Sequence, residues 1–101
     1  MPSASSKDWK GYAAELTPFQ KKVYTVTRRI PRGQTRSYGW VARAIGRPQA
    51  ARAVGQALGK NTRTDLVPCH RVVAGDGSLG GYNGGLAAKR RRLQAEGALR
   101  T

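Results

Sequence analysis

Cysteine and histidine occur once each in these 101 residues, and acids only five times against nineteen Lys and Arg. One cysteine excludes an intramolecular disulfide framework, and with one histidine a Cys/His zinc site runs out of ligands, so neither metal nor cofactor is expected. A reducing compartment fits a chain with so little cysteine. No apolar run approaches the ~20 residues of a membrane span, and the opening Met1-Pro2-Ser3-Ala4-Ser5-Ser6-Lys7 lacks the apolar stretch of a signal peptide. The expectation is a soluble intracellular monomer, cytoplasmic at the nucleoid or nuclear, with no membrane partner. A chain of this length buries only ~60–70% of its unfolded surface, which allows one modest core and no second catalytic domain.

The scarcity of acids is uneven. Between Leu16 and Thr64 there are eleven basic residues and no Asp or Glu. A merely solvated surface mixes signs. A one-sign field over half a domain repels itself unless a polyanion meets it, which points to nucleic acid. An anionic membrane fits less well, because no helix joins this charge to a broad, bulky apolar face.

The single cysteine and single histidine are adjacent, in Val67-Pro68-Cys69-His70-Arg71-Val72-Val73. A thiol with pKa ~8.5 needs a base or a positive field to act as a nucleophile at neutral pH. His70 offers the base and Arg71 the field. Pro68 fixes its own φ and drives Val67 toward extended geometry, so the approach to Cys69 is rigid. Taken alone, the pair reads more readily as a small buried hydrophobe beside a capping histidine.

Along the chain, residues 1–16 read as a flexible arm with Trp9 and Tyr12 available to dock on the body that follows, residues 17–101. Thr17-Pro18-Phe19-Gln20 opens a helix with an N-cap, a proline at the first helical position and a capping-box glutamine. Phe19, Val23, Val26 and Ile30 form its apolar stripe, and Pro31-Arg32-Gly33-Gln34 is a turn. Ser37 caps a second helix over Tyr38 to Ile45, which ends at Gly46, and a third runs from about Gln49 to Leu58. Two short helices with a Gly-containing turn in an acid-free field form a helix-turn-helix pattern. Asn61 follows the third helix, where a helix C-cap is its ordinary use. The chain then goes extended through Leu66-Val67 and Val72-Val73, turns at Gly75-Asp76-Gly77, and passes through Gly80-Gly81-Tyr82-Asn83-Gly84-Gly85. A last helix from Leu86 to Glu96 is expected to turn Leu86 and Leu93 inward and Lys89-Arg90-Arg91-Arg92 largely outward. The fold class is α+β, mostly helical: a winged-helix-like domain with a helix-turn-helix and a short β element.

From Thr17 to Gly97 the chain resembles the DNA-binding, active-site domain of the O6-alkylguanine-DNA alkyltransferases, or methylated-DNA–protein-cysteine methyltransferases. The likeness rests on Thr17-Pro18-Phe19-Gln20, Ile30-Pro31-Arg32-Gly33, Ser37-Tyr38, Ala51-Arg52-Ala53-Val54-Gly55, Asn61, Pro68-Cys69-His70-Arg71-Val72, Gly80-Gly81-Tyr82, Gly84-Gly85-Leu86 and Glu96-Gly97. The resemblance implies double-stranded DNA carrying O6-alkylguanine as partner and a single-turnover methyltransferase: Cys69 takes the alkyl group from a flipped guanine and the protein is consumed. It implies His70 as base acting through a water, Glu96 orienting and stabilising the imidazole, and Asn61 tying the turn after the third helix to the active-site segment. Arg52 would fill the vacated base position and Tyr38 would help rotate the nucleotide. Ala50, Ala51 and Ala53 suit close approach in the minor groove, or ordinary close helix packing, with Gln56 and Lys60 beside them on the DNA face. Tyr82, Asn83 and Val72 would form the base pocket.

Three features depart from the family pattern. The larger members carry an N-terminal domain for which these residues leave no room. Asn83 stands where Ser is frequent. Small chains of this kind also resemble alkyltransferase-like proteins, which bind alkylated DNA without repairing it, hand it to nucleotide-excision repair proteins and usually replace the cysteine that is present here. Lesion sensing is therefore the alternative to transfer, and a sequence-specific helix-turn-helix regulator is the plainer rival.

Overall fold

The computed structural model describes residues 6–75 and 85–97. Among the described residues five helices surround one core, and a short parallel sheet joins distant parts of the chain: α1 (Ser6–Ala13), α2 (Pro18–Thr27), β1 (Arg36–Ser37), α3 (Tyr38–Ala44), α4 (Ala51–Gly59), a 3-10 turn (Cys69–Arg71), β2 (Val72–Val73) and α5 (Leu86–Ala95).

Local signals set several of the boundaries. At the start of α2, Thr17 Oγ1 accepts from the Gln20 N–H at 3.1 Å and Gln20 Oε1 accepts from the Thr17 N–H at 3.0 Å, the reciprocal capping box. Such a cap contributes about 1 kcal/mol. The regular helix closes at Thr27, and two further turn bonds carry the chain to Ile30, whose α geometry Pro31 disfavours. Ser37 caps α3 by accepting from the Trp40 N–H at 2.9 Å. Helices α3 and α4 pack on each other and on α2, giving the α+β helix-turn-helix architecture read from the sequence.

Two parts of the expectation change. Residues 6–13 are a helix rather than a loose arm, and Trp9 and Tyr12 do dock on the core. At eight residues α1 is too short to persist alone; stacking of Tyr12 on Tyr24 and the Arg28 guanidinium 4.3 Å from the Trp9 ring hold it. In α5, Lys89 is fully buried while Leu86, at the exposed first turn, is 55% accessible, the reverse of what was expected of both. Lys89 and Leu93 stand four apart on one face, so the turn that buries Leu93 buries Lys89 with it.

Ser37, expected only as the cap of a helix, and Arg36 before it pair in parallel with Val73 and Val72. Two residues per strand are too few to leave a periodic signal. The pairing sets the start of α3, and so Tyr38, beside the segment that leaves Cys69-His70-Arg71. The core joins Val23, Tyr24, Ile30, Val41, Val54, Leu58, Leu66, Val67, Val72 and Cys69 itself. Among the described residues no helix is long and apolar enough to cross a membrane.

Candidate functional site

Cys69 and His70 begin the 3-10 turn, both buried. The turn aims the two side chains differently: Cys69 joins the core cluster, while His70 reaches the end of α5, where its Nε2 lies 2.9 Å from Glu96 Oε2. Glu96 is the C-cap of α5, and the left-handed Gly97 (φ 80°) ends the helix there. A second glycine is required on the opposite side. Gly33 has φ 88°, and a Cβ there would stand 3.1 Å from the Glu96 carbonyl oxygen, so the turn after α2 closes against the carboxylate's own backbone.

Arg71 holds that carboxylate from the other side. Its Nε donates to Glu96 Oε1 at 2.9 Å and its Nη2 to Oε2 at 2.8 Å, while Nη1 donates to the Ile30 carbonyl at 2.9 Å. The guanidinium therefore serves Glu96 and not, as its place in the sequence suggests, the thiol. Desolvation raises the Glu96 carboxyl, but the hydrogen bonds from Arg71 and His70 outweigh it and bring the group to about 2. Glu96 is thus a carboxylate at any physiological pH, and it accepts; His70 Nε2 must carry the hydrogen. His70 Nδ1 has no hydrogen-bond partner among the described residues. Burial lowers the histidine, against the raising effect of Glu96, so the ring rests neutral with a free lone pair at Nδ1.

The thiol is also shifted. Burial pushes Cys69 up, opposed by a side-chain hydrogen bond from Asn61 and by the positive charges of Lys89 and Arg92. At neutral pH Cys69 rests protonated and needs a base. Asn61, fully buried, donates from Nδ2 to the Val67 carbonyl at 2.9 Å, which ties the end of α4 to the segment that leads into Cys69; Lys60, not Asn61, is the helix C-cap.

Lys89 enters the site unannounced by the sequence. Its Nζ donates to the Val72 carbonyl at 2.7 Å and lies 5.7 Å from the centre of the Tyr38 ring. Burial lowers it to about 8, with Cys69 acting in the opposite direction. Val72, expected in a base pocket, is a buried core side chain whose carbonyl Lys89 occupies.

On the outer side a groove of about 960 Å³ runs between α3, α4 and the end of β2, lined in part by Tyr38, Arg43, Ala51, Arg52, Gln56 and Gly75. Arg52 and Gln56 are exposed on α4, and Lys60 is exposed at its C-cap. Ala50 and Ala51 pack against the core and Ala53 is half-buried, so close packing accounts for much of this small-residue run. Tyr82 and Asn83 lie outside the described residues. No group of three or more His, Cys, Asp or Glu side chains among the described residues could hold a metal ion.

The family described as 6-O-methylguanine DNA methyltransferase, DNA binding domain, matches residues 18–98. The chain belongs to that family. Among 6-O-methylguanine DNA methyltransferase relatives, it is 48% identical over 86 residues to the methylated-DNA–protein-cysteine methyltransferase of Methanosarcina acetivorans, covering 85% of this chain and 55% of that protein. It is 51% identical over 83 residues to the Salmonella typhimurium protein of the same name, covering 82% and 48%. The chain thus spans about half the length of the curated relatives it matches. The crystal structure of Mycobacterium tuberculosis OGT in complex with DNA superposes with a TM-score of 0.80 at 49% identity, covering 83% of this chain and 52% of that one. S. pombe Atl1, solved with damaged DNA containing O6-carboxymethylguanine, superposes with a TM-score of 0.73 at 35% identity, covering 82% and 79%.

Proposed function

We propose that this chain binds duplex DNA without sequence preference, takes an O6-alkylguanine out of the stack and transfers its alkyl group once to Cys69. The observation that carries the reading is the buried pair of His70 Nε2 and Glu96 Oε2 at 2.9 Å, which leaves Nδ1 as the basic nitrogen of the residue next to the sole cysteine.

The thiol proton passes to His70 Nδ1 through a water, and the carboxylate of Glu96, itself pinned by Arg71, stabilises the imidazolium. The Cys69 Sγ electron pair attacks the alkyl carbon. The carbon–O6 bond breaks with its pair remaining on the guanine, and the imidazolium returns a proton so that neutral guanine departs. The new thioether has no leaving group matched to water, so the protein is spent after one transfer.

Exposed bases on α3 and α4 neutralise phosphates. Arg52, exposed on the groove wall, takes the place of the extruded base, whose unstacking costs a few kcal/mol. Tyr38 rotates the nucleotide from the start of α3.

Burial of the thiol supports a second reading, in which the lesion is bound without transfer and passed to nucleotide-excision repair proteins; the likeness to Atl1 adds to it. Duplex DNA with an isotopically labelled O6-methyl group separates the two. Transfer moves the label onto the protein and Cys69→Ala abolishes that movement; a protein that retains labelled DNA without taking the label is a sensor.

A further inference from the structure

Tyr12 lies on α1, N-terminal to the 18–98 stretch that carries the family match, yet its hydroxyl reaches the site. It donates to Asn61 Oδ1 at 3.0 Å and accepts from the Thr62 N–H at 3.2 Å. Asn61 Oδ1 also accepts from the Arg63 N–H at 3.0 Å. A carbonyl-type oxygen has two lone-pair directions and an amide nitrogen two hydrogens. With both directions at Oδ1 filled by donors, the amide cannot flip, and Nδ2 is turned to the Val67 carbonyl and to Cys69. Asn61 is fully buried, so no solvent can replace a lost partner cheaply.

We infer that Tyr12 is a positioning residue for the cysteine: its hydroxyl locks the Asn61 amide with the donor end facing Cys69, so that helix α1 is a working part of the site. This rests on the proposed transfer reaction for its consequence, but the hydrogen-bond relay stands apart from it. A donor aimed at sulfur favours thiolate over thiol. The rest of the Tyr12 ring does a different job, stacking on Tyr24 at 6.1 Å between centroids and meeting the Trp9 ring edge-on. The two roles can be separated by removing the hydroxyl alone.

The test compares wild type, Tyr12→Phe and Trp9→Leu, each carrying 13Cβ-labelled cysteine, which gives a single resonance because the chain has one cysteine. Tyr12→Phe keeps the ring stacking and loses only the hydroxyl's hydrogen bonds, which should lower the melting temperature modestly; it should also shift the pH midpoint of the Cys69 resonance upward by about half a unit to one unit and slow methyl transfer by roughly three- to tenfold at neutral pH. Trp9→Leu loosens α1 without touching the relay and should lower the melting temperature with the midpoint in place. An unchanged midpoint in Tyr12→Phe, or an equal displacement in Trp9→Leu, overturns the inference. If wild type transfers no methyl group, the transfer proposal falls while the midpoints still decide the role of Tyr12.

Discussion

The two regions that hold most of the chemistry use charge in opposite ways. On α3 and α4, Arg43, Arg52 and Lys60 are exposed in a sequence stretch without a single acid. Around Cys69, the charges of Lys89, Arg71 and Glu96 are buried or nearly so, each fixed by hydrogen bonds to a carbonyl or to an opposite charge. Exposed charge is screened and adaptable, suited to a backbone of phosphates at any sequence. Buried charge acts at full strength over a few ångströms and at one position, suited to moving a proton.

If that division holds, substitutions inside should change chemistry far more than binding. Cys69→Ala should reduce transfer to undetectable while lesion affinity, measured by titration of O6-methylguanine duplex, stays within about threefold, since the groove is untouched. A large loss of affinity would merge the two regions.

Glu96→Gln should slow transfer by roughly 10²- to 10⁴-fold, the range for losing the charge behind a catalytic imidazole. It also has a pH signature. The folded-state pKa of Glu96, about 2, lies below its ordinary value, so its stabilisation is complete above ~4.3 and disappears as pH falls to about 2. Wild type should therefore lose roughly 3 kcal/mol more than Glu96→Gln across that window in urea melts. Parallel acid profiles would mean that Glu96 is not held as an ion.

Lys89→Met keeps the bulk of the side chain and removes its charge. Since Lys89 lowers the Cys69 thiol, the variant should raise the cysteine midpoint by about one unit and slow transfer about tenfold at neutral pH. An unmoved midpoint would make Lys89 a packing residue held by the Val72 carbonyl.

The smallest effects belong to the outer face. Arg43→Ala and Lys60→Ala should each flatten the log–log salt dependence of binding to undamaged duplex by about one and leave stability within about 0.5 kcal/mol. Arg52→Ala should impair paired lesions more than single-stranded ones. Equal losses on both would reduce Arg52 to a phosphate contact.

The frame was largely legible in the sequence, because its signals are local: a capping box within four residues and a Ser cap. The Cys69-His70 pair was visible by adjacency, and its partner Glu96 through family resemblance. What stayed hidden depends on distance along the chain. Arg71 meets a carboxylate twenty-five residues away, and Tyr12 meets Asn61 forty-nine residues away. Lys89 was obscured by its company, since four consecutive bases suggest a solvated face. Helical geometry spreads those four residues around the axis, and the i, i+4 relation to Leu93 was the available clue. The short α1 was missed because its glycine and polar residues give little periodicity and tertiary contacts supply its stability.

The decisive measurement is the intact mass of the protein after incubation with excess O6-methylguanine duplex. The proposed chemistry predicts a gain of one methyl group per chain, located on the peptide containing Cys69, with no further gain over hours. A protein that binds the lesion and emerges at its original mass would contradict alkyl transfer and leave lesion sensing as the function of the site.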